Sequence, residues 1–365
     1  MKLDSKATSI KNLEKLTLII LSKNRERELS QVIDYWATTP VRLVIIHDTN
    51  NSLNYKNKGS KLVYIKSKDS IIERLYASLD YISTPYAMIA NDDEIFLVEP
   101  LLKFICYLEN KHELEAIGGQ VVAYNWAGHK LLGIKIYPFL HNFLNNHKSS
   151  INRIKKTFRT KNVMDLTLMY RSHEFKNIVK CCKYFTEYST PVMYETMFAF
   201  FSSLFCRSVR LNYVYWMRNW FTPFHENKDW DRNLTWKNWC TVEKFQNEVL
   251  NWEKSMAAVL RKKTDFTDFE IGNLISLLLN WEAIGERTQH SKFLSLRIRF
   301  KNTLKLVIPP YLVWKLKSMI PALNRKIMSD FDVLGSTLIS DDQLSLFDLE
   351  KFKNFAQKQK TLLKK

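Results

Sequence analysis

Glycine is scarce, with eight in 365 residues. No Gly-rich phosphate loop of the Rossmann or Walker type occurs, which excludes a dinucleotide fingerprint and a P-loop. The five cysteines, Cys106, Cys181, Cys182, Cys206 and Cys240, form no Cys-x-x-Cys pair. A structural zinc site is therefore not expected, and an odd count argues against a disulfide framework, so a reducing compartment fits. No stretch approaches the roughly 18–20 apolar residues that span a bilayer. The opening MKLDSKATSIKNLEK is charged, and the apolar run at 16–21 is too short for a secretory h-region. The expectation is a cytoplasmic protein, free or peripheral on the cytoplasmic membrane face. No internal repeat or long low-complexity tract stands out.

What the chain has in excess is positive charge. Its formal net charge is +18, which favours polyanionic partners: nucleic acid, an anionic membrane surface or phosphorylated substrates. Hydrophobic residues make up 46%, enough for a core that divides into two domains or one domain with an appendage. Aromatics are rich at 13%, and most of them are expected to be core.

Short apolar runs alternate with helical spacing along the first hundred residues. LTLIILS (16–22), VRLVIIHD (41–48), LVYIK (62–66) and YAMIA (86–90) read as buried strands. Between them, residues 27–36 carry Leu29, Val32, Ile33 and Trp36 on one side, and 70–82 carry Ile71, Leu75, Leu79 and Ile82 as a stripe. Nearly continuous apolar strands imply burial on both faces and a largely parallel sheet. In such sheets ligands bind beyond the carboxyl ends of the strands. The polar residues there are Ser22, Lys23, Asn24 and Arg25 after the first strand, His47 and Asp48 after the second, and Asn91 to Glu94 after the fourth. They are expected to converge. Further on, 100–110 reads as a helix, 115–124 and 163–171 as strands, and an apolar helix begins near Glu195.

Asp92, Asp93 and Glu94 are the strongest single feature. Adjacent carboxylates repel one another. They are tolerated at a solvated turn capping the next helix, or where a divalent cation compensates them. Mg2+ and Mn2+ take carboxylate and phosphate oxygens together, so such a site suits a leaving diphosphate.

The ordered segments LTLIILSKNRERELSQVIDYW, VIIHDTNN and STPYAMIANDDEIF together resemble family-2-type glycosyltransferases of the GT-A fold. They look closest to a bacterial subgroup in which a DDD-like run replaces the usual DxD. The resemblance covers about residues 16–240. It implies an α/β fold with a mostly parallel sheet flanked by helices and a helical C-terminal extension. The implied division is a catalytic domain at 14–240 (nucleotide-sugar half about 14–125, acceptor half about 126–240), a helical basic region at 241–328 and a polar tail at 329–365.

By matching position, Asp48 contacts the base or its ribose, and the loop of Ser22, Asn24 and Arg25 lines the same pocket. The acids hold ribose and metal, with either Asn91 and Asp93 or Asp92 and Glu94 matching the DxD pair. Asp92, Asp93 and Glu94 are thus metal candidates for Mg2+ or Mn2+, and His225 stands where many GT-A enzymes add a late histidine. Glu195 matches the catalytic base at the start of a helix, where the N-terminus would favour its charged form; Asp165 and Glu187 are weaker alternatives. Arg74 and Arg218 are diphosphate clamps by the match of guanidinium to phosphate geometry.

Residues 290–327 hold nine Lys or Arg and no acid, broken by Pro309, Pro310 and Pro321. Basic amphipathic segments favour anionic lipid surfaces. The combined expectation is an inverting glycosyltransferase acting in the synthesis of a surface polysaccharide such as lipopolysaccharide or capsule. Its partners would be a nucleotide-sugar donor, a glycan or lipid-linked acceptor and an anionic membrane surface, with nucleic acid disfavoured. The alternatives are a nucleotidyltransferase on a related scaffold, which the Gly-free SKNRER loop disfavours, and a non-enzymatic basic membrane- or nucleic-acid-binding protein, which leaves the acids unexplained.

Overall fold

The computed structural model describes residues 10–49, 61–127, 130–137, 140, 142–160, 165–186, 191–219, 235–288, 329–330 and 346–362. Four strands, β1 (Leu16–Lys23), β2 (Arg42–Asp48), β3 (Leu62–Lys66) and β4 (Tyr86–Ala90), form a parallel block in the order β3-β2-β1-β4. Helix α1 (Glu26–Trp36) connects β1 to β2. Helix α2 (Ile71–Ala77), continued by a 3-10 turn at Ser78–Tyr81, leads into β4. A capping box between Ser70 and Glu73 starts α2, satisfying two otherwise unpaired donors.

Successive side chains of a strand face opposite ways. Leu16, Leu18 and Ile20 of β1 join one core with Leu29, Val32, Ile33 and Trp36 of α1. Ile19 joins a second core with Val44, Ile46, Ile72 and Leu75. Both faces are therefore covered, which is why these strands read as unbroken apolar runs. Such a pattern does not itself set register, because a one-residue slip exchanges apolar for apolar. Polar pairs at the strand ends discriminate instead. Thr17 hydroxyl meets Thr84 hydroxyl at 2.7 Å at one end, and Ser22 meets Asp92 at 2.8 Å at the other.

The rest of the sheet comprises β5 (Ile95–Phe96), β6 (Ala116–Ala127), β7 (Lys130–Ile136), β8 (Leu144–Asn145), β9 (Met169–Arg171), β10 (Ser208–Asn219) and β11 (Ser329–Asp330). β9 is antiparallel to both β4 and β6 and joins the two halves. β10 lies parallel to β6 and antiparallel to β5 and β8. The expected α/β fold with flanking helices is present; its parallel order belongs to the first half, and antiparallel pairs dominate the second. At Gly119 a Cβ would stand 2.3 Å from the Tyr213 carbonyl oxygen. The absence of a side chain there lets β6 and β10 approach across their register shift.

Around the sheet lie α3 (Val98–Asn110), α4 (Ser150–Arg159), α5 (Ser172–Cys182), α6 (Pro191–Phe205), α7 (Trp236–Thr241), α8 (Gln246–Lys263), α9 (Asp268–Thr288) and α10 (Leu346–Leu362). Three expectations need correction. Within the strand expected at 163–171, the described residues form a 3-10 turn at Asp165–Thr167 and only three strand residues, Met169–Arg171. The Asp165 carbonyl accepts from the Tyr170 hydroxyl at 2.6 Å, a bond across the turn that extended backbone would not allow. The helix expected to begin near Glu195 begins at Pro191, where proline's missing N–H costs nothing. The tail expected at 329–365 contains α10, whose Phe352, Phe355 and Ala356 enter the first core.

No packing boundary falls at 240/241. Trp252 of α8 donates to the Met197 sulfur of α6 at 3.4 Å, and Trp236 donates to the Leu278 carbonyl of α9 at 2.7 Å. The basic segment 290–327 lies outside the described residues. Among the described residues no helix is long and apolar enough to cross a membrane.

Candidate active site

The carboxyl ends of β1, β2 and β4 meet at one rim. Ser22 lies opposite His47, and Lys23 opposite Asp48; the Lys23 ammonium is 3.4 Å from the Asp48 carboxylate. The chain then turns through Asn24, whose φ of 52° lies in the left-handed region that asparagine tolerates better than most residues. The Asn24 N–H donates to the Asp48 carbonyl at 3.0 Å. This turn swings Arg25 over the end of β4. Its Nη1 donates to Asp92 Oδ1 at 2.8 Å and its Nη2 to Asp93 Oδ2 at 2.6 Å. Ser22 Oγ donates to the other Asp92 oxygen at 2.8 Å. From α2, the buried Arg74 donates to the Ser22 carbonyl at 2.8 Å.

A second group approaches from β10. Trp216 and Arg218 are two residues apart and share one face of the strand. Trp216 Nε1 donates to Glu94 Oε2 at 2.7 Å, an oxygen that also accepts from the Asn91 amide. Arg218 Nε lies 3.2 Å from Glu94 Oε1, and its Nη1 donates to the Tyr137 hydroxyl. Tyr137 holds a φ of 55°, which for a bulky side chain costs on the order of 1–3 kcal/mol and persists only where surroundings enforce it.

Burial pushes the Asp92 carboxyl up to about 7 against the pull of Arg25. It pushes Glu94 up to about 8, with the nearby Asp93 adding to the rise and Arg218 opposing it. Both residues are only 5–6% exposed. Glu195, on the fifth residue of α6, is exposed to water. Even so, desolvation is the largest influence on its carboxyl and raises its pKa, with Arg218 opposing. The charges of Glu94, Glu195 and Arg218 all act on the Tyr137 phenol. The position of Glu195 one turn into α6 removes the helix-start stabilisation expected for it.

The acids do not present a free ligand set. A hard divalent cation takes about six oxygen ligands. Of the six carboxylate oxygens of Asp92, Asp93 and Glu94, five already hold a hydrogen bond or ion pair: two on Asp92, one on Asp93 and two on Glu94. Among the described residues no group of three or more His, Cys, Asp or Glu is arranged to hold a metal.

Of the proposed site residues within the described chain, Ser22, Asn24, Arg25, Asp48, Arg74, Asp92, Asp93, Glu94 and Arg218 stand at the rim, and Asp165 does not. His225 and Glu187 lie outside the described residues. Asp165 is sealed in the core, 3% exposed and 3.5 Å from Arg210; it has no access to an acceptor. Sequence reasoning missed Trp216 and Tyr137. The i, i+2 spacing of Trp216 to Arg218 on one strand was the available signal for the first. For Tyr137 none existed, because its backbone conformation and partner are set by distant elements.

No family model matches the chain. No curated protein matches it. Among solved structures it is similar to S. aureus TarS 1-349 in complex with UDP-GlcNAc, with 13% identity and a TM-score of 0.49, covering 95% of this chain and 92% of that one. It is also similar to the same fragment in complex with UDP, at 13% identity and a TM-score of 0.47, covering 75% and 73%. Likeness at this level assigns nothing; the assignment rests with the chain's own residues.

Proposed function

We propose that the chain is a GT-A-type glycosyltransferase that moves a sugar from a nucleotide-sugar donor to a hydroxyl of a glycan or lipid-linked acceptor, with inversion at C1. One observation carries the reading: polar groups from residues 22–25, 48 and 92–94 stand together at the carboxyl ends of three parallel strands, and Arg218, paired with Glu94 at that rim, also acts on the Glu195 carboxyl. In such folds this is where nucleotides bind.

Asp48 and the Asn24 turn hold the nucleoside. Arg218 and Arg25 face the diphosphate, whose planar oxygens suit guanidinium forks. Glu195 takes the proton from the acceptor hydroxyl as its oxygen bonds to C1, while the bond from C1 to the diphosphate breaks with its electron pair leaving on phosphate. A base works best with a pKa near the working pH, and the upward shift of Glu195 is in that direction. Tyr137, bonded to Arg218, positions the guanidinium. The basic segment 290–327 and the net charge of +18 support a place on an anionic cytoplasmic membrane face, where lipid-linked acceptors of surface polysaccharide synthesis are found.

The test is incubation of the full chain with a panel of nucleotide sugars, reading the released nucleotide. Release of a nucleoside diphosphate, or a monophosphate from a CMP-sugar, is expected. Release of pyrophosphate would instead mean nucleotidyl transfer. A folded sample that neither binds nor turns over any member of the panel would overturn the reading.

A further inference from the structure

We infer that the cation of this site is Arg25, seconded by Arg218, and that the acidic run is not a divalent-metal site. The inference rests on the donor reading for its ligand, the diphosphate, but its geometry stands on the resting chain. Arg25 leaves β1 through a left-handed turn at Asn24, and its two terminal nitrogens bridge neighbouring carboxylates, Asp92 at 2.8 Å and Asp93 at 2.6 Å. That is the position a divalent ion would take between two acids. Among the described acids, Arg218 pairs with Glu94 alone, its Nε 3.2 Å from one carboxylate oxygen.

The charges balance locally. Asp92, Asp93 and Glu94 carry three negative charges if all are ionised. Arg25 and Arg218 contribute two positive charges in direct contact, and Arg74 acts on Asp92 through space. An additional divalent ion would have to displace guanidiniums already paired in a partly buried place, where such pairs are costly to break.

A second observation points to a ligand. Arg25 Nε and Arg74 Nε are both buried without a hydrogen-bond partner. Buried donors are nearly always satisfied in a complete site. Arg25 and Arg218 also keep 23% and 29% of their side chains exposed at the rim, the surface that an oxygen-rich anion such as a diphosphate would meet. Arg25 thus has two nitrogens that hold the acids and a third donor left over.

Two measurements decide the matter. In the first, Mn2+ alone is titrated into the full chain and followed by calorimetry and by the paramagnetic resonance of free Mn2+. No saturable site up to the millimolar range is expected for the wild type. The Arg25→Gln variant, which releases Asp92 Oδ1 and Asp93 Oδ2, is expected to gain one. In the second, UDP, GDP, dTDP, ADP and CMP are titrated with excess EDTA and with excess Mn2+. Affinity for the preferred nucleotide is expected to agree within about threefold between the two conditions. It is expected to fall at least about tenfold in Arg25→Gln and by less in Arg25→Lys, which keeps the charge but loses the fork.

Saturable Mn2+ binding by the wild type, or nucleotide binding lost in EDTA, would overturn the inference while leaving the donor reading intact. Failure of every nucleotide in both conditions would sink the donor reading, and the Mn2+ titration would still decide whether the acids form a metal site. If Arg25→Gln does not fold, the wild-type titrations and Arg25→Lys carry the test.

Discussion

The two halves of the sheet handle buried polar groups differently. In the parallel half, Ser22, Arg25, Arg74 and Asp92 come from separate elements and meet at strand ends. In the other half, Asp165, Tyr170, Thr167 and Tyr215 form an equally dense network around Arg210. There Tyr170 donates to the Asp165 carbonyl at 2.6 Å, Tyr215 to the Thr167 carbonyl at 3.1 Å, and Arg210 pairs with Asp165 at 3.5 Å. A raised carboxyl pKa occurs in both, up to about 7 at Asp92 and about 6 at Asp165. Perturbed acidity therefore does not separate a reactive site from a structural one here. Access does: the Arg25 and Arg218 side chains of the first network are 23% and 29% exposed, whereas Arg210 and Asp165 of the second are 2% and 5% exposed.

Mutations can break that comparison. The largest effect is expected for Glu195→Gln, which should lower the transfer rate at least about a hundredfold while donor affinity and thermal stability stay near wild type; unchanged turnover would remove Glu195 as the base. Next is Asp165→Ala, which strands Arg210 in the core. Breaking a buried pair costs about 3–5 kcal/mol, read as a lower urea midpoint, with nucleotide affinity of the folded protein unaffected. An affinity loss there would mean the two networks are one.

Asp348 on α10 offers a third and smaller effect. Its carboxylate accepts from the Val98 and Glu99 N–H groups, both at 2.8 Å, capping α3 from a position some 250 residues away in sequence. Asp348→Ala is expected to cost about 1–2 kcal/mol, the usual worth of a cap, measured by denaturant unfolding. The same residue sets a pH dependence. Burial raises its carboxyl to about 6 in the fold, against about 4 in an unfolded chain. The folded state thus prefers the protonated form: the contribution is complete below about pH 4 and is lost as pH rises through about 6. Asp348→Asn should make the fall in stability over that window shallower; an unchanged slope would refute the assignment. Last, Lys15→Ala removes a half-exposed pair with Glu109 at 2.5 Å and should change stability by less than about 1 kcal/mol, without touching nucleotide binding.

Much of the first half was legible. The strand at 86–90 was read residue for residue and β2 to within one, because burial on both faces leaves an unbroken apolar run bounded by polar turns; the partly exposed edge strand at 62–66 was also read residue for residue, and α1 to within one from its helical spacing. That Ser22, Asp48 and Asp92 stand at neighbouring strand ends followed from the strand order. The alternation at 163–171 misled, since Asp165–Thr167 form a 3-10 turn with Leu166 packed against the second core. α10 was hidden because only Phe352, Phe355 and Ala356 mark its buried side among lysines and glutamines, and Asp348 gains its place only from the N–H groups of a remote helix.

Local order along the chain, then, determined which segments are strands and which polar residues end them, because hydrophobic period and turn chemistry act over a few residues. The tertiary structure alone decided that Arg25 bridges two aspartates, that Trp216 and Arg218 close on Glu94, and that Asp165 is sealed while Glu195 is wet. Those outcomes depend on ångström-scale distances between segments tens to hundreds of residues apart, and hydrogen bonds and ion pairs form only at such range.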